Sequence, residues 1–296
     1  MLDGLTLDQL RTFIAAADSG SFSAAGRSLH RAQSVVSTTL ANLEAQIGVK
    51  LFDRSGRYPR LTDEGRSLLA DARSVAENID GFKARARAIR EGLEPELTAV
   101  IDVMYPMEGL TRAAAQSRKA FPHTPLRLYV EALGGVMKPV LDGTCSIGVV
   151  GSLPVISEEL VSQSLLDVYM VTVVAPSHRL AAMRGTIRQS TLAKEVQLVL
   201  TDRTALSEGR NFGVVSPLTW RLADLGAKHA FLKSGLGWGH MPRHMVKADL
   251  DAGSLVSIQV EGISPRERHM PMKVVHRKDA PPGPATRAFI EELRKG

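Results

Sequence analysis

The feature that most constrains this chain is a helix in residues 32–47, AQSVVSTTLANLEAQI, whose two faces differ. Its apolar positions recur at steps of four, three and four, which predicts one stripe packed against a core; they are Val36, Leu40, Leu43 and Ile47. The opposite face carries small residues: Ser34, Ser37, Thr38 and Ala41. Ser and Thr form helices less readily than the Glu, Lys and Gln that usually cover solvated faces. The small polar side chains therefore indicate that this helix face packs closely against another molecule rather than against solvent.

Two shorter helices are predicted before it. The first begins at Thr6 and ends at Gly20, and either Ser21 or Ser23 caps a second helix over residues 24–29. A brief turn leads into the third helix, which stops at Gly48. This order predicts a helix-turn-helix, whose third helix enters the DNA major groove, where Gln, Ser and Thr reach base edges.

The next segment, LFDRSGRYPRLT, is typical of a small β-wing laid along phosphates. Arg54, Arg57 and Arg60 surround its Ser-Gly turn. Three merely solvated arginines are the alternative, and the helix-turn-helix upstream disfavours it.

From Thr62 to Pro95 the apolar residues follow a four-three spacing: Leu68, Ala72, Val75, Ile79, Phe82, Ala86, Ile89 and Leu93. Such a narrow stripe, with charged residues off it, is typical of a coiled coil and predicts a dimer. A helix packed on its own chain is the alternative.

The run SGSFSAAGRSLHRAQSVVSTTLANLEAQIGVKLFDR, followed by RLTDEG, resembles the DNA-binding module of LysR-type transcriptional regulators over about sixty residues. The resemblance implies that Gln33, Ser34, Ser37 and Thr38 approach base edges or phosphates and that Arg54 contacts DNA from the wing. Arg31, in the turn, and Arg57, in the wing, complete the candidate DNA-binding set. Many members carry arginine where this chain has Thr38, which implies a different base preference there.

From Leu97 onward, apolar runs alternate with amphipathic helices, which predicts two α/β lobes with mainly parallel sheets and a ligand cleft between them. The fold class is therefore a multidomain α+β protein: a winged helix-turn-helix at 1–61, a linker helix at 62–94 and a periplasmic-binding-protein-like effector domain at 95–296. Lobe I covers about 95–163 and 268–296, and lobe II about 164–267.

The second half also resembles the family, through LDGTCSIGVVG, APSHRLA, SGLGWGHMP and DAGSLV. It departs from the common pattern at Ser146, where Asp is usual, and at Trp238, which replaces a small aliphatic residue. Both departures are expected to change the shape or polarity of the ligand pocket.

Ligands of open α/β sheets gather beyond the carboxyl ends of strands. That rule selects ten effector-binding candidates: Met104, Tyr105, Met107, Glu131, Leu133, Val150, Gly151, Asp202, Gly235 and Leu236. The apolar side chains after the first strand, with few nearby cations, suggest a ligand with an apolar or aromatic body. Ordinary packing of Met and Tyr remains the alternative.

Other chemistries find little support. The net charge of +6 does not itself argue for DNA, because residues 1–94 hold thirteen Lys and Arg against twelve Asp and Glu. Cys145 is the single cysteine, which rules out an internal disulfide and a resolving partner for redox sensing. His240, His244 and His269 lack metal-ligand spacing, and GLGWG follows a predicted helix rather than a strand. We therefore expect no cofactor, no metal and no enzymatic activity.

The expected function is a ligand-responsive bacterial transcriptional regulator. It would bind double-stranded promoter DNA as a homodimer or, as the resemblance favours, a homotetramer, and respond to a small-molecule effector, with RNA polymerase as a further partner. The N-terminus lacks a secretory pattern and no apolar run reaches membrane-span length, so a cytoplasmic protein without membrane contact is expected. A small-molecule binding protein whose N-terminal module serves only assembly is the alternative, and an enzyme built on the lobes is a third.

Overall fold

The computed structural model describes residues 4–56, 58–152, 156–204, 206, 213–262 and 269–295. The chain divides into two compact units, residues 1–87 and 88–296. Each unit has its own hydrophobic core.

The first unit begins with three helices: α1 Leu7–Ser19, α2 Phe22–Ser28 and α3 Gln33–Ile47. Thr6 caps α1 through a reciprocal capping box with Gln9, and Ser21 caps α2 through the Ala24 N–H. Gly20 and Gly48 end α1 and α3 in the left-handed conformation that glycine adopts without strain. The predicted caps of α1 and the predicted end of α3 are thereby confirmed.

The core of this unit is built on aromatic rings and on the apolar stripe of α3. Phe52 contacts Phe13 and Phe22 edge-on, with ring centroids 5.8 and 5.2 Å away. Phe52 starts the two-stranded antiparallel wing formed by β1 Phe52–Asp53 and β2 Arg60–Leu61. The wing is therefore anchored in the same core that holds α3.

The linker helix α4, Asp63–Arg90, starts against that core and then leaves it. Gly65 lies so close to the wing that a Cβ there would stand 2.2 Å from the Leu51 carbonyl oxygen. Leu68 and Ala72 pack on the core, whereas Phe82 farther along is 70% exposed. Within the described chain, the later part of the apolar seam is uncovered.

The second unit contains helices and strands in alternation. Its strands are β3 Leu97–Asp102, β4 Leu126–Glu131, β5 Ile147–Val150, β6 Leu160–Val174, β7 Thr186–Ile187, β8 Gln197–Leu200, β9 Thr219–Leu222, β10 Gly239–Pro242, β11 Val256–Ser257, β12 Gln259–Val260 and β13 His269–Arg277. Its helices are α5 Met107–Ala120, α6 Gly134–Leu141, the short α7 Gln189–Leu192, α8 Leu225–Lys233, α9 Arg243–Ala252 and α10 Pro284–Arg294, with a 3₁₀ turn at Arg179–Ala182.

One sheet, ordered β10-β6-β13-β5-β3-β4, runs through both lobes. β3 pairs in parallel with β4 and β5, whereas β13 runs antiparallel between β5 and β6. The first part of β6 pairs with β13 and its last part with β10 and β11. The long strand β6 thus carries the chain from one lobe to the other and β13 brings it back, which confirms the predicted two-lobed α/β fold. The return strand is antiparallel because it enters lobe I from the opposite end.

The segment GLGWG brings two strands unusually close together. Trp238 exchanges backbone hydrogen bonds with Val196 and Leu198 at 3.0 and 2.8 Å. A Cβ on Gly237 would lie 2.5 Å from the Val196 carbonyl oxygen, and one on Gly239 2.8 Å from that of Leu198. The glycines therefore allow strand contact, and the Trp238 side chain is fully buried beside Val174 and Leu180.

Candidate DNA-binding surface and effector cavity

Helix α3 presents the face that the sequence indicated. Val36, Leu40 and Leu43 are buried in the core. On the opposite face Gln33, Ser34 and Thr38 are exposed and Ser37 is half-buried. A row of short hydrogen-bonding side chains on an exposed helix is suited to reading base edges in a major groove.

A buried carboxylate joins the wing to α3. Glu44, on the core side of α3, has a side chain only 1% exposed. Its Oε1 accepts the backbone N–H groups of Leu51 and Phe52 at 2.9 and 3.1 Å. Its Oε2 accepts Arg54 Nη2 at 3.0 Å, and that guanidinium lies over the Phe22 ring at 5.2 Å. Glu44 is a residue that the sequence reasoning did not assign a role; its place on the apolar side of α3 was the available signal.

Arg54 therefore has a structural contact as well as its predicted DNA contact. Its Nη1 lies 3.5 Å from Ser37 Oγ, so the guanidinium sits beside the polar face of α3. Arg31 donates to Asp8 Oδ2 at 2.7 Å and lowers the pKa of that carboxyl by this hydrogen bond. Arg57 lies outside the described residues.

The second unit contains an open cavity of about 800 Å³ between its lobes. Four of the ten effector candidates line it: Met104, Leu133, Val150 and Gly151. They follow β3, β4 and β5, as the rule for strand ends predicts. Further lining comes from β6, β8 and β13 and from the strand-helix junctions of lobe II.

The other six candidates are absent from the described cavity lining. Tyr105 is buried, and its hydroxyl donates to the Leu293 carbonyl at 2.7 Å, which fixes it against α10. Asp202 accepts the Gly135 N–H at 3.0 Å and so joins the loop after β8 to the start of α6. The remaining four lie on exposed or turn positions: Met107, Glu131, Gly235 and Leu236. A strand end places a residue near a cleft, but the direction of each side chain depends on its packing partners.

The wall of lobe I is a hydrogen-bonded network around Asp102, a buried acid at the end of β3 that the sequence reasoning did not single out. Its carboxylate accepts the N–H groups of Met104, Gly151 and Ser152 and the Ser152 hydroxyl. Ser152 Oγ in turn accepts the Leu133 N–H at 2.9 Å. Burial raises the pKa of Asp102, and the four donors oppose that shift.

Leu133 adopts φ 50° and ψ −124° within this network. A positive φ costs a non-glycine residue of this kind about 1–3 kcal/mol, and such strain clusters at ligand sites. The network around Asp102 holds this conformation at the cavity wall.

The wall of lobe II corrects the expectation of few nearby cations. Its cationic lining side chains are Arg221, Lys228 and Arg243, and Lys273 of β13 also lines the cavity. No Asp or Glu stands among the described lining residues. The expectation of few cations was wrong because these side chains lie on elements far along the chain from Met104.

The two departures from the family pattern do not reach the cavity directly. Ser146 hydrogen-bonds to Thr98 through both its N–H and its hydroxyl and does not line the cavity. Trp238 is also outside the lining, and its ring packs edge-on against His240, which does line it, at 5.6 Å. Trp238 therefore acts on a ligand only through neighbours that line the cavity, such as His240 and Leu198.

The described residues show no feature that supports redox chemistry, metal binding or a membrane span. Cys145 is buried, and burial raises its thiol pKa to about 11. Within the described ranges, no three His, Cys, Asp or Glu side chains gather closely enough to hold a metal ion. None of the helices described is both long and apolar enough to cross a membrane.

Comparison with known proteins places this arrangement. A family model described as "LysR substrate binding domain" matches residues 91–296, and one described as "Bacterial regulatory helix-turn-helix protein, lysR family" matches residues 7–66. The chain belongs to the LysR family of transcriptional regulators. Its two units thus correspond to a DNA-binding module and an effector-binding domain, and the predicted family is confirmed.

Similar regulators cover nearly the whole chain. The HTH-type transcriptional regulator AceR of Acinetobacter baumannii is 26% identical over 97% of this chain and 96% of its own. A probable HTH-type regulator of Escherichia coli K12, YhaJ, is 30% identical over 88% of both chains. The HTH-type transcriptional activator AllS of Klebsiella pneumoniae is 28% identical over 87% of this chain and 95% of its own.

Solved structures share the fold. A cysteine-substituted OxyR of Corynebacterium glutamicum aligns with a TM-score of 0.57 and 22% identity, over 98% of this chain and 92% of the other. Full-length BenM aligns with a TM-score of 0.51 and 19% identity, over 98% and 96%. At sequence identities this low, the similarity to these structures shows a shared fold and nothing more.

Proposed function

We propose that this LysR-family regulator reads promoter DNA with the polar face of α3. The observation that carries the proposal is that face itself, exposed beside a wing anchored to α3 through Glu44. The proposed base-reading residues are Gln33, Ser34, Ser37 and Thr38, and the proposed phosphate contacts are Arg31, Arg54 and Arg57. Contacts of the first kind specify sequence, and contacts of the second kind position the protein on the duplex.

The proposed active form is a homodimer joined through α4, with a homotetramer favoured by the family resemblance. The exposed seam residues Val75, Phe82 and Ile89 support the dimer, because coiled-coil pairing would bury them. Two modules would then read two half-sites of DNA. We retain the division into residues 1–61, 62–94 and 95–296 as part of this proposal.

The effector is proposed to bind in the cavity of the second unit, with lobe I over about 95–163 and 268–296 and lobe II over about 164–267. Met104, Leu133, Val150 and Gly151 are the candidates retained, since they line the cavity. A ligand changes DNA binding only if it favours one assembly over another, and such couplings are typically about 1–3 kcal/mol. The proposed response is a change in the spacing of the DNA-binding modules of the oligomer.

Three further points belong to the same proposal. The regulator acts in the cytoplasm, contacts RNA polymerase at its promoter, and regulates without catalysing a reaction. Family membership supports these points in general terms.

Selection of genomic DNA fragments by the purified full-length protein tests the DNA-binding proposal. At moderate salt we expect recovery of a partly palindromic site, and we expect affinity for it to fall steeply as salt rises, because phosphate contacts release counterions. A protein in which both Gln33 and Ser37 are replaced by alanine serves as the matched control and should recover no preferred site. If the unaltered protein selects no sequence, the N-terminal module serves assembly only.

A further inference from the structure

One wall of the effector cavity carries a buried lysine. Lys228 lies on α8, lines the cavity and is only 3% exposed. A buried ammonium group without a counter-ion is costly, so proteins usually pair it with a carboxylate. Among the described residues no Asp or Glu carboxylate forms an ion pair with Lys228.

Among the described residues Lys228 makes one hydrogen bond, from Nζ to the His240 carbonyl oxygen, at 2.7 Å. An ammonium group has three donors, so two of its N–H bonds have no acceptor among the described residues. Burial lowers the pKa of Lys228 to about 8, which leaves it charged at neutral pH. The group is therefore a buried donor, and an anion is the acceptor that would complete its geometry.

His240, the residue next to Lys228 in the cavity wall, carries no charge that would pair with Lys228 or bind an anion in its place. Its Nδ1 is 2.9 Å from Thr172 Oγ1, and a hydrogen bond to the Gly213 backbone engages the ring as well. Burial, with the nearby charge of Lys228 in second place, lowers the pKa of His240 to about 4. The imidazole is therefore neutral at physiological pH and adds no charge beside Lys228.

The other charged and titratable groups on the elements around α8 are few. α8 packs against β6, β8 and β9. From these strands the cavity receives Tyr169 of β6 and Arg221 of β9, and β8 contributes no titratable side chain. Asp249 of α9 also contacts α8, where it pairs with His229 and Lys233. The charged side chains among the described cavity lining are all cations, and they include Arg243 and Lys273.

The rest of the lining is mainly apolar. It includes Met170 and Val171 of β6, Leu198 and Val199 of β8, and Ile258 between β11 and β12. A cavity of this kind favours a ligand with a hydrophobic body and one anchoring polar group.

We propose that the effector is a small organic acid whose carboxylate binds Lys228 Nζ while its apolar body lies against β6 and β8. This inference rests on the proposed effector function of the cavity. The carboxylate takes the two available N–H donors and neutralises the buried charge of Lys228. Charge-assisted hydrogen bonds are the stronger class, so Lys228 sets the preference for acids over neutral ligands.

The test uses matched probes on the full-length protein. The probes are linear and aromatic monocarboxylic acids of about four to ten carbons, sizes that such a cavity admits, each paired with its primary amide. The chain has two tryptophans, so Trp220→Phe leaves Trp238, beside His240, as the fluorescent reporter of the cavity wall. Binding is measured by titration at pH 7 in this background, with and without Lys228→Met.

We expect at least one acid to bind about ten-fold or more tightly than its amide, and Lys228→Met to abolish that preference. Lys119→Met removes the same charge from an exposed position on α5 and should keep it. Methionine fills the space of the lysine stem, so unchanged thermal unfolding of Lys228→Met shows that lost binding is not lost folding.

Equal binding of acids and amides, or an undiminished preference in Lys228→Met, would overturn the anionic ligand while leaving the cavity as the effector site. Binding of no acid and no amide at millimolar concentration would overturn both the carboxylate site and the proposed effector function. The same protein sample is also tested for selection of promoter DNA. This result tests the DNA-binding proposal independently of whether any probe binds in the cavity.

Discussion

Replacing Glu44 by alanine should detach the wing from α3. The substitution removes the acceptor of the Leu51 and Phe52 N–H groups and the partner of Arg54. Both N–H groups lie at buried residues, so neither gains water when the carboxylate is lost. The first unit should therefore become less stable, and the wing should lose its fixed position beside the polar face of α3.

The structure gives an approximate size for this effect. A buried donor left without an acceptor costs about 1–3 kcal/mol, so the two N–H groups together cost about 2–6 kcal/mol. The Arg54 side chain is 36% exposed, and the lost ion pair adds at most about 1 kcal/mol after solvent screening. Glu44→Gln retains an oxygen for the two N–H groups and loses only the charge, so about 1–2 kcal/mol is expected for it.

Hydrogen exchange in increasing urea measures the free energy of unfolding of each unit within the full-length protein. Peptides covering residues 33–56 report on the first unit, and peptides covering β3 report on the second as an internal reference. Glu77→Ala, an exposed acid on α4, is the matched control and should leave both transitions unchanged. If Glu44→Ala unfolds at the urea concentration of the unaltered protein, or if Glu44→Gln is as damaging as Glu44→Ala, the carboxylate does not hold the wing as described.

Three other outcomes are expected. Because burial lowers the pKa of Lys228 to about 8, affinity for an acid probe should be nearly constant between about pH 6 and pH 7, where the carboxylate and the ammonium group are both charged, and fall up to about ten-fold per pH unit above about pH 8 as the ammonium deprotonates; a flat profile in Lys228→Met is the control. Phe82→Asp should weaken the dimer about a hundred-fold or more in light-scattering measurements, since two phenyl groups lose their burial, whereas Lys83→Asp, off the seam, should not; a dimer unaffected by Phe82→Asp would place the interface elsewhere. Replacing Gln33 and Ser37 by alanine should weaken specific binding more than non-specific binding in gel-shift titrations, and equal loss on all sequences would contradict their role in reading bases.

Local patterns were enough to predict the first unit. Each of its helices begins and ends at residues whose chemistry acts within a few positions, such as Thr6 with Gln9 and the glycines at positions 20 and 48. The stripe of α3 also depends only on helical periodicity. The Glu44 contact was missed because its partners in the wing come seven to ten residues later and meet it only when the wing folds back.

The effector cavity was only partly predictable. Strand ends indicated Met104, Leu133, Val150 and Gly151, because parallel strands bring their carboxyl ends to one edge. They also indicated Tyr105, whose hydroxyl the structure directs to α10 instead. Which side chains face the cavity depends on contacts between residues nearly two hundred positions apart.

Sequence alone determined the family, the order of the elements, the polar face of α3 and the seam of α4, since caps, periodicity and turns are local properties of the chain. Tertiary structure decided the charge of the cavity. Lys228 becomes a buried cation of the cavity that Met104 and Val150 also line only because β6 and β13 cross between the lobes and bring α8 to that cavity. Burial and pairing are properties of that assembled wall, and no segment of the sequence carries them by itself.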